Sequence, residues 1–429
     1  MLKTGPNYFS ALVMIASCAV SAQESAEEQN TTHSSEDNRE AMAELPEGRF
    51  EILTDKFFQV SQPHVSEKIS FRGLSDWERR VSGTHGFDYA FVNAPIAQIG
   101  SEGGKTYADN EMDLYLQWRI NTGSNSEGKL FFWGTYVQTF SSLANGEFSR
   151  SQGLITSTIS AGTDPDKSFV APSALWWQQS FNNSGFLYRT GQLYATSLWG
   201  NNKYTFDDRE GFMNSVLSSN IGLPWSDTPR GLGVMVQQTI GSAYVSLGIQ
   251  DAKAKQDQID VDSFLDGKYL YTGELGYNTN IGSDHEGRYK ISLGYVDGTA
   301  GTAEAQTESN ASGWGLALSA RQDLGDIGLF AQYRRSLSDR IAQGIKTSAN
   351  AGVVFNKPLG FSDDALGIGL LYASSSDEAE RDEYGGEIYW RFQMTPRLDI
   401  TPDIQIYRPG QPDQSGITVV GAFRFRYVL

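Results

Sequence analysis

The sequence predicts an all-β chain, a transmembrane antiparallel barrel of about 16 strands closed on itself. Three features carry that expectation. Short segments of alternating polarity fill most of the chain, no apolar run of 18 residues follows the N-terminus, and tight turns alternate with long connections. Lipid leaves no backbone polar group unpaired, so a membrane chain without an apolar helix must cross as a closed barrel.

The alternation is clearest near the C-terminus. Leu398, Ile400, Pro402, Ile404 and Ile406 fall on one face of a strand, with Asp399, Thr401, Asp403, Gln405 and Tyr407 on the other. The preceding segment sets Tyr384, Gly386, Ile388, Trp390, Phe392 and Met394 against Glu387, Tyr389, Arg391 and Gln393, and the last sets Val419, Phe423 and Phe425 against Arg424 and Arg426. All six charges in these strands avoid the apolar phase, which chance would give roughly one time in sixty.

Earlier candidates run Gly86–Asn93, Glu111–Asn121, Leu130–Phe140, Ala174–Phe181, Gly185–Tyr194, Gly231–Ile240 and Ser242–Asp251. Then come Lys268–Asn278, Gly287–Val296, Ser312–Arg321, Ile327–Arg335, Thr347–Phe355 and Ala365–Ser374, which with the final three make 16 segments. Many approach the ten residues a tilted strand needs to cross a bilayer, and an even number returns both ends to one side. Tyr269, Tyr271, Tyr277, Trp390 and Phe392 lie toward strand ends, where an interfacial girdle would sit. A secreted β-sandwich or β-helix is the soluble alternative.

The N-terminus points to export. Lys3 precedes an apolar stretch from Ala11 to Val20, and Val20, Ser21 and Ala22 supply the small residues of a cleavage site, giving a signal peptide over 1–22. Ile15 to Cys18 also reads as a lipobox, in which Cys18 would carry lipid. Residues 23–70 are expected to form an acidic, mostly disordered periplasmic leader: eight acids against Arg39 between Gln23 and Gly48 give −7 of the total −17. The barrel then occupies 71–429, with short periplasmic turns and long extracellular loops such as Phe140 to Ala174 and Tyr194 to Gly231.

Several function classes drop out. The acidic balance disfavours nucleic acid, since phosphate contacts need basic surface. Cys18 is the only cysteine, so the exported chain has no disulfide. His33, His64, His85 and His285 share no strand face with a serine or acid and no metal-ligand spacing, so no catalytic group, metal or cofactor is expected. An outer-membrane adhesin or enzyme is the weaker alternative to a channel.

The interior phase carries mixed charge: Arg119, Arg189, Arg321, Arg334, Arg391, Arg424 and Arg426 with Asp113, Glu274, Glu387, Asp399 and Asp403. Facing sets of this kind supply donors and acceptors to polar solutes. They also serve simply to solvate and brace a lumen. Tyr115, Tyr244, Phe330, Tyr389 and Tyr407 add aromatic surface to the same phase, and Trp176 and Trp177 must face opposite ways in an order the sequence leaves open. A phosphate channel would need a basic ladder, which the mixture does not provide.

Several stretches resemble a known family. ALWWQQSFNNSGFLYRTGQLYATSLWGNN (Ala174–Asn202), GFMNS (Gly211–Ser215), GLALSARQDLGDIGLFAQYRRS (Gly315–Ser336), GVVFNKPLGFSDDALGIGLLYASS (Gly352–Ser375) and TPRLDITPDIQIYRPG (Thr395–Gly410) are similar to carbohydrate-selective porins of the OprB type, with PDIQ at Pro402–Gln405 the most specific match. The resemblance implies passive diffusion of mono- or oligosaccharides across the outer membrane of a Gram-negative bacterium. It implies contact with outer-membrane lipid and lipopolysaccharide, insertion by the barrel-assembly machinery, and room for a homo-oligomer. A general, weakly cation-selective porin is the alternative. The pore-lining candidates are Arg391, Arg424, Arg426, Asp399, Asp403, Gln405, Glu387, Tyr389, Arg119 and Arg334. Leu429 departs from the terminal aromatic usual in such barrels, with Tyr427 two positions earlier.

Overall fold

A computed structural model describes residues 72–429 except 124, 161, 163–164, 166–167, 182–183, 228–229, 256, 281–284, 300–309, 339, 361–363 and 396. The signal peptide, Cys18, the acidic leader, His33 and His64 lie outside the described residues.

Sixteen antiparallel strands close into one barrel. They are β1 (Phe87–Gly100), β2 (Thr106–Gly123), β3 (Ser126–Thr139), β4 (Ser168–Phe181), β5 (Phe186–Leu193), β6 (Gly231–Ile240), β7 (Ala243–Asp251) and β8 (Tyr269–Asn280). The second half comprises β9 (Glu286–Val296), β10 (Gly313–Leu324), β11 (Ile327–Ser336), β12 (Ile345–Asn356), β13 (Ala365–Ser375), β14 (Glu383–Thr395), β15 (Leu398–Arg408) and β16 (Thr418–Val428). Each strand pairs with its chain neighbours, and β1 pairs with β16 in a register that sets Val92 beside Val428 and Gly100 beside Val420. Leu429 extends the seam by exchanging two 2.8 Å backbone hydrogen bonds with Phe91. Closure removes the free edges that an open sheet would present.

Every strand segment expected from the sequence is present, with ends shifted by up to seven residues. The start of the barrel region differs. Arg72–His85 form a helix, α1, and the wall begins only at Phe87. Gly86, in the left-handed region at φ 66°, turns the chain from helix into strand. Trp77 of α1 lies 6.0 Å from the Tyr89 ring, and Trp118 Nε1 donates to the His85 carbonyl at 3.1 Å, so the helix rests beside this end of the wall.

The alternation sorts side chains as the sequence dictates. Ile388, Ile404, Ile406, Val419, Phe423 and Phe425 point outward and are exposed, whereas Glu387, Tyr389, Asp399, Asp403, Gln405, Arg424 and Arg426 point inward and are buried. Leu114, Leu130, Leu275, Ile291, Leu293, Leu318, Leu329 and Leu370 continue the outward apolar surface around the other strands. A contiguous apolar band of this kind belongs in lipid. Among the described residues no helix is long and apolar enough to cross a membrane. Trp176 is the inward member of its pair, 2% exposed, with Arg189 stacked 3.9 Å above its ring.

Tight turns join the strands at the rim near Phe87 and Val428, while the long connections leave the opposite rim. Two of these do not stand out from the barrel. Loop A (140–167), with helix α2 (Asn145–Ser151), and loop B (194–230), with short helices α3 (Ala195–Leu198) and α4 (Ser215–Ser218), fold into the lumen. Phe148, Leu154 and Ile159 of loop A, and Phe212, Met213, Val216, Leu217, Leu223 and Trp225 of loop B, are all buried at 2% exposure or less. Inward glycines make their seats. A Cβ at Gly294 would lie 2.7 Å from the Trp225 ring, and one at Gly369 only 2.8 Å from Leu217 Cδ2.

Candidate functional site

The lumen narrows where the loops meet the wall, and charged and amide side chains of the strands hold them there. Loop B first follows β8 to β11. Gly200 N donates to Glu274 at 3.0 Å, Asn202 Nδ2 to Ser319 Oγ at 3.2 Å, and the Tyr204 hydroxyl to Asp323 at 2.6 Å. It then crosses to the opposite wall with the sequence Asp207-Asp208-Arg209-Glu210-Gly211. Arg209, 2% exposed, pairs with Glu111 and Asp113 of β2 and, at 3.1 Å, with its own neighbour Asp207. Asp113 is itself anchored by Trp133 Nε1 at 2.6 Å and Thr135 Oγ1 at 2.7 Å.

Beyond β1 the same stretch of wall answers with arginines. Arg424 of β16 donates to the carbonyls of Asp208 and Gly211 in loop B and to Thr401 Oγ1 of β15. Glu210 bridges Arg391, 2.8 Å away, and Arg426, 3.4 Å away, and Arg426 also meets Asp399 at 2.6 Å. Glu387 accepts from the backbone N–H groups of Met213 at 2.5 Å and Asn214 at 3.0 Å, just before α4. These two N–H groups lie ahead of the helix, so the carboxylate fixes the chain where it enters α4. Arg334 donates to the Val216 carbonyl at 3.1 Å, and Asn214 Nδ2 to the Tyr407 hydroxyl at 2.8 Å.

Loop A is held in the same manner. Glu383 accepts from Ile155 N at 2.8 Å and from Thr156, Gln405 Nε2 donates to the Thr158 carbonyl at 3.0 Å, and Gln98 brackets Thr158 from β1. The loops also bind each other, through Ser215 N to the Ser157 carbonyl at 2.9 Å and Ser157 N to Ser215 Oγ at 3.1 Å.

The structure therefore brings most of the sequence-derived candidates to one region. Arg391, Arg424, Arg426, Asp399, Asp403, Gln405, Glu387 and Tyr389 sit on adjacent strands β14 to β16, all facing inward. Tyr389 meets Phe212 of loop B edge-on at 4.8 Å, and Asp403 accepts from Gln405 at 3.1 Å. Arg334 lies apart on β11. Arg119 stands further off, at the turn rim, where it meets Asp88 at 3.2 Å and Ser82 at 2.8 Å. His85 ends α1, and His285 is exposed just ahead of β9. Among the described residues no cluster of His, Cys, Asp or Glu is arranged to hold a metal ion.

The model of the carbohydrate-selective porin, OprB family, matches residues 160–429. The chain belongs to that family. The high-pH structure of Pseudomonas putida OprB is similar to this porin with a TM-score of 0.64, at 13% identity, over 83% of this chain and 97% of that one. The low-pH structure of Pseudomonas putida OprB gives 0.51 at 12% identity, over 86% and 100%. At these identities the likeness is one of fold. No curated protein matches the porin by sequence. Family and barrel together make it a channel for carbohydrates, set in membrane lipid, with the architecture of outer-membrane porins.

Sequence reasoning passed over the porin's loop residues. Arg209, Glu210 and the hydroxyls of loops A and B carry much of the lumen's chemistry, yet outer loops read as surface. One signal was available. Loop B contains Phe206, Phe212, Met213, Val216, Leu217, Ile221, Leu223 and Trp225, far more apolar payload than a solvated connection of its length needs.

Proposed function

We propose that this porin passes neutral mono- and short oligosaccharides through the outer membrane of a Gram-negative bacterium into the periplasm, and catalyses no reaction. Charge compensation inside the lumen is the observation that supports it. Arg391, Arg426, Asp399 and Glu210 neutralise one another, Arg424 is committed to loop carbonyls, and Arg209 lies among Glu111, Asp113 and Asp207. A solute gains little from carrying charge into such a passage. It gains from offering hydroxyls to replace lost water. On this reading Arg391, Arg426 and Glu210 border the solute path, Asp399, Asp403 and Tyr389 brace the wall behind them, and Glu387, Gln405, Arg424 and Arg334 fix its width through the loops. Phospholipid and lipopolysaccharide cover the apolar band, and the barrel-assembly machinery inserts the chain. The carboxylates around Arg209 outnumber it, which favours a weak cation preference at low salt that screening erases.

Liposome swelling tests the proposal. Glucose should enter faster than glucose phosphate, although the two differ little in width. If rates followed size alone, and phosphate carried no penalty, the channel would be a general diffusion pore.

A further inference from the structure

On the lipid side of the wall, β8 to β11 carry a groove of about 550 Å³. Register builds it. Tyr277, Tyr289, Ala320 and Ala331 stand opposite one another across the four strands, on the outward phase. Where this row changes from tyrosine to alanine the surface dips, with Tyr289 at one edge and Leu318 and Tyr333 of the next outward row along another. The strand backbone at Ser319 and Gln332, whose side chains are buried on the lumenal phase, closes the bottom.

Part of this frame is fixed in advance. The Tyr289 hydroxyl donates to Gln322 Oε1 at 2.8 Å, and Gln322 Nε2 donates to the Asp323 carbonyl at 3.0 Å and the Glu286 carbonyl at 3.3 Å. Glu286 opens β9 and Asp323 nearly ends β10, so the ring is tied to the chain beside two tight turns. The groove therefore lies in the half of the wall nearer the tight-turn rim.

Two properties decide what fills it. Leu275, Ile291 and Leu318 line the groove and are exposed members of the outward apolar band, so it opens directly into lipid. It also crosses four strands, about 14 Å at 4.8 Å between neighbours, which is about the depth of one leaflet of a ~30 Å hydrocarbon core. The convex wall of a second barrel would rest on the tyrosine rings without reaching the alanines. An alkyl chain is slim enough to lie on them. Lipid tails are as apolar as the wall, so burial of apolar surface supplies no preference here. Contact supplies it, because a tail that bridges the dip leaves the floor without partner atoms and forfeits their dispersion attraction.

We infer that the groove retains one phospholipid of the leaflet on the tight-turn side, with an acyl chain on Ala320 and Ala331 against Tyr289 and the headgroup toward the rim. In a porin those turns face the periplasm, where the leaflet is phospholipid and not lipopolysaccharide. The inference rests on the membrane-spanning barrel and is independent of the solute that the lumen passes.

The test is native mass spectrometry of the mature, full-length porin, equilibrated in mild detergent with palmitoyl-oleoyl phosphatidylethanolamine or, separately, with rough lipopolysaccharide. The wild type should hold one phosphatidylethanolamine per barrel, saturably, and no lipopolysaccharide at matched concentration. Ala320→Phe combined with Ala331→Phe fills the dip from the lipid side, so heat-dependent mobility and conductance should be unchanged. Retained phospholipid should fall about tenfold, the effect of losing about ten atom contacts. Ala97→Phe, at an exposed position on β1 outside the groove, should retain lipid as the wild type does. Should the double variant fail to fold, Ala331→Phe alone, at the more exposed of the two alanines, makes the same comparison. Equal retention by the groove variant overturns the site, as does a wild type that emerges bare or with lipopolysaccharide instead. Equal loss in Ala97→Phe overturns it too, by showing unspecific adhesion. A wild-type dimer that the groove variant dissociates gives the groove to a second copy and overturns the lipid assignment.

Discussion

Replacing Arg424 with methionine keeps much of the side chain's length while deleting the guanidinium that ties loop B to the wall. Arg424 is fully buried and donates to the Asp208 and Gly211 carbonyls and to Thr401. A hydrogen bond to a charged group contributes about 1.5–3 kcal/mol, so the two loop contacts together are worth about 3–6 kcal/mol before relaxation. At about 1.4 kcal/mol per tenfold, the lower figure raises the population of displaced loop conformers on the order of a hundredfold. Single-channel recording should show a larger, noisier conductance, and liposomes should admit trisaccharides that the wild type excludes. The wall should survive, because the backbone ladders of β16 with β1 and β15 remain when the one side-chain bond to Thr401 is lost. Heat-dependent gel mobility reports on that separately. A folded R424M barrel with wild-type conductance and size limit would refute the view that this residue sets the width of the passage.

Gly294→Ala places a methyl 2.7 Å from the Trp225 ring, and overpacking of this kind costs about 1–3 kcal/mol. Loop B should become more sensitive to added protease while the barrel keeps its heat-dependent mobility. Acidity offers a separate handle through Asp227 in loop B. Burial pushes its carboxyl above the ordinary value, and Arg340, 3.4 Å away, offsets part of that rise. The folded state thus holds this proton more tightly than the unfolded one. Its contribution to stability is complete below the ordinary aspartate value of about 3.9 and is lost as pH rises through the higher folded value. The unfolding midpoint of the wild type relative to D227N should therefore fall across that interval, and a rise would contradict the assignment.

The wall was legible in the sequence because each strand's two faces meet opposite solvents. Asp399, Asp403 and Arg424 cannot share a face with Ile404 and Phe423 without placing charge in lipid, so the phase was fixed at every position. Loop placement obeys no such local rule. Glu111 and Arg209 are 98 residues apart, and their pairing depends on where a long connection comes to rest. The inward glycines give the only regular trace of it. Gly248, Gly294 and Gly369 lie on the lumenal phase where a larger residue would fill space, and each is matched by a bulky loop side chain, respectively Trp199, Trp225 and Leu217. The helix at Arg72–His85 was missed for a different reason: Leu74, Trp77 and Val81 in RGLSDWERRVSGTH keep i, i+3, i+7 spacing, but three apolar residues in one short segment were absorbed into the barrel region that follows.

The route of loop B also imposes an order of events on assembly. Its contacts run from Glu274 on β8 through Gln332 on β11 and Glu387 on β14 to Arg424 on β16, and finally return to Asp113 on β2. Strands from both chain ends must already stand side by side before Asp113 and Arg424 can grip the same five-residue segment. The loop contacts therefore mature late, since distant partners must be gathered before any of them is rewarded. A barrel whose seam has just closed is then a wide, water-filled tube, and becomes a selective one only when its own chain swings inward. Selectivity along this route therefore belongs to the seated loop and not to the closed wall.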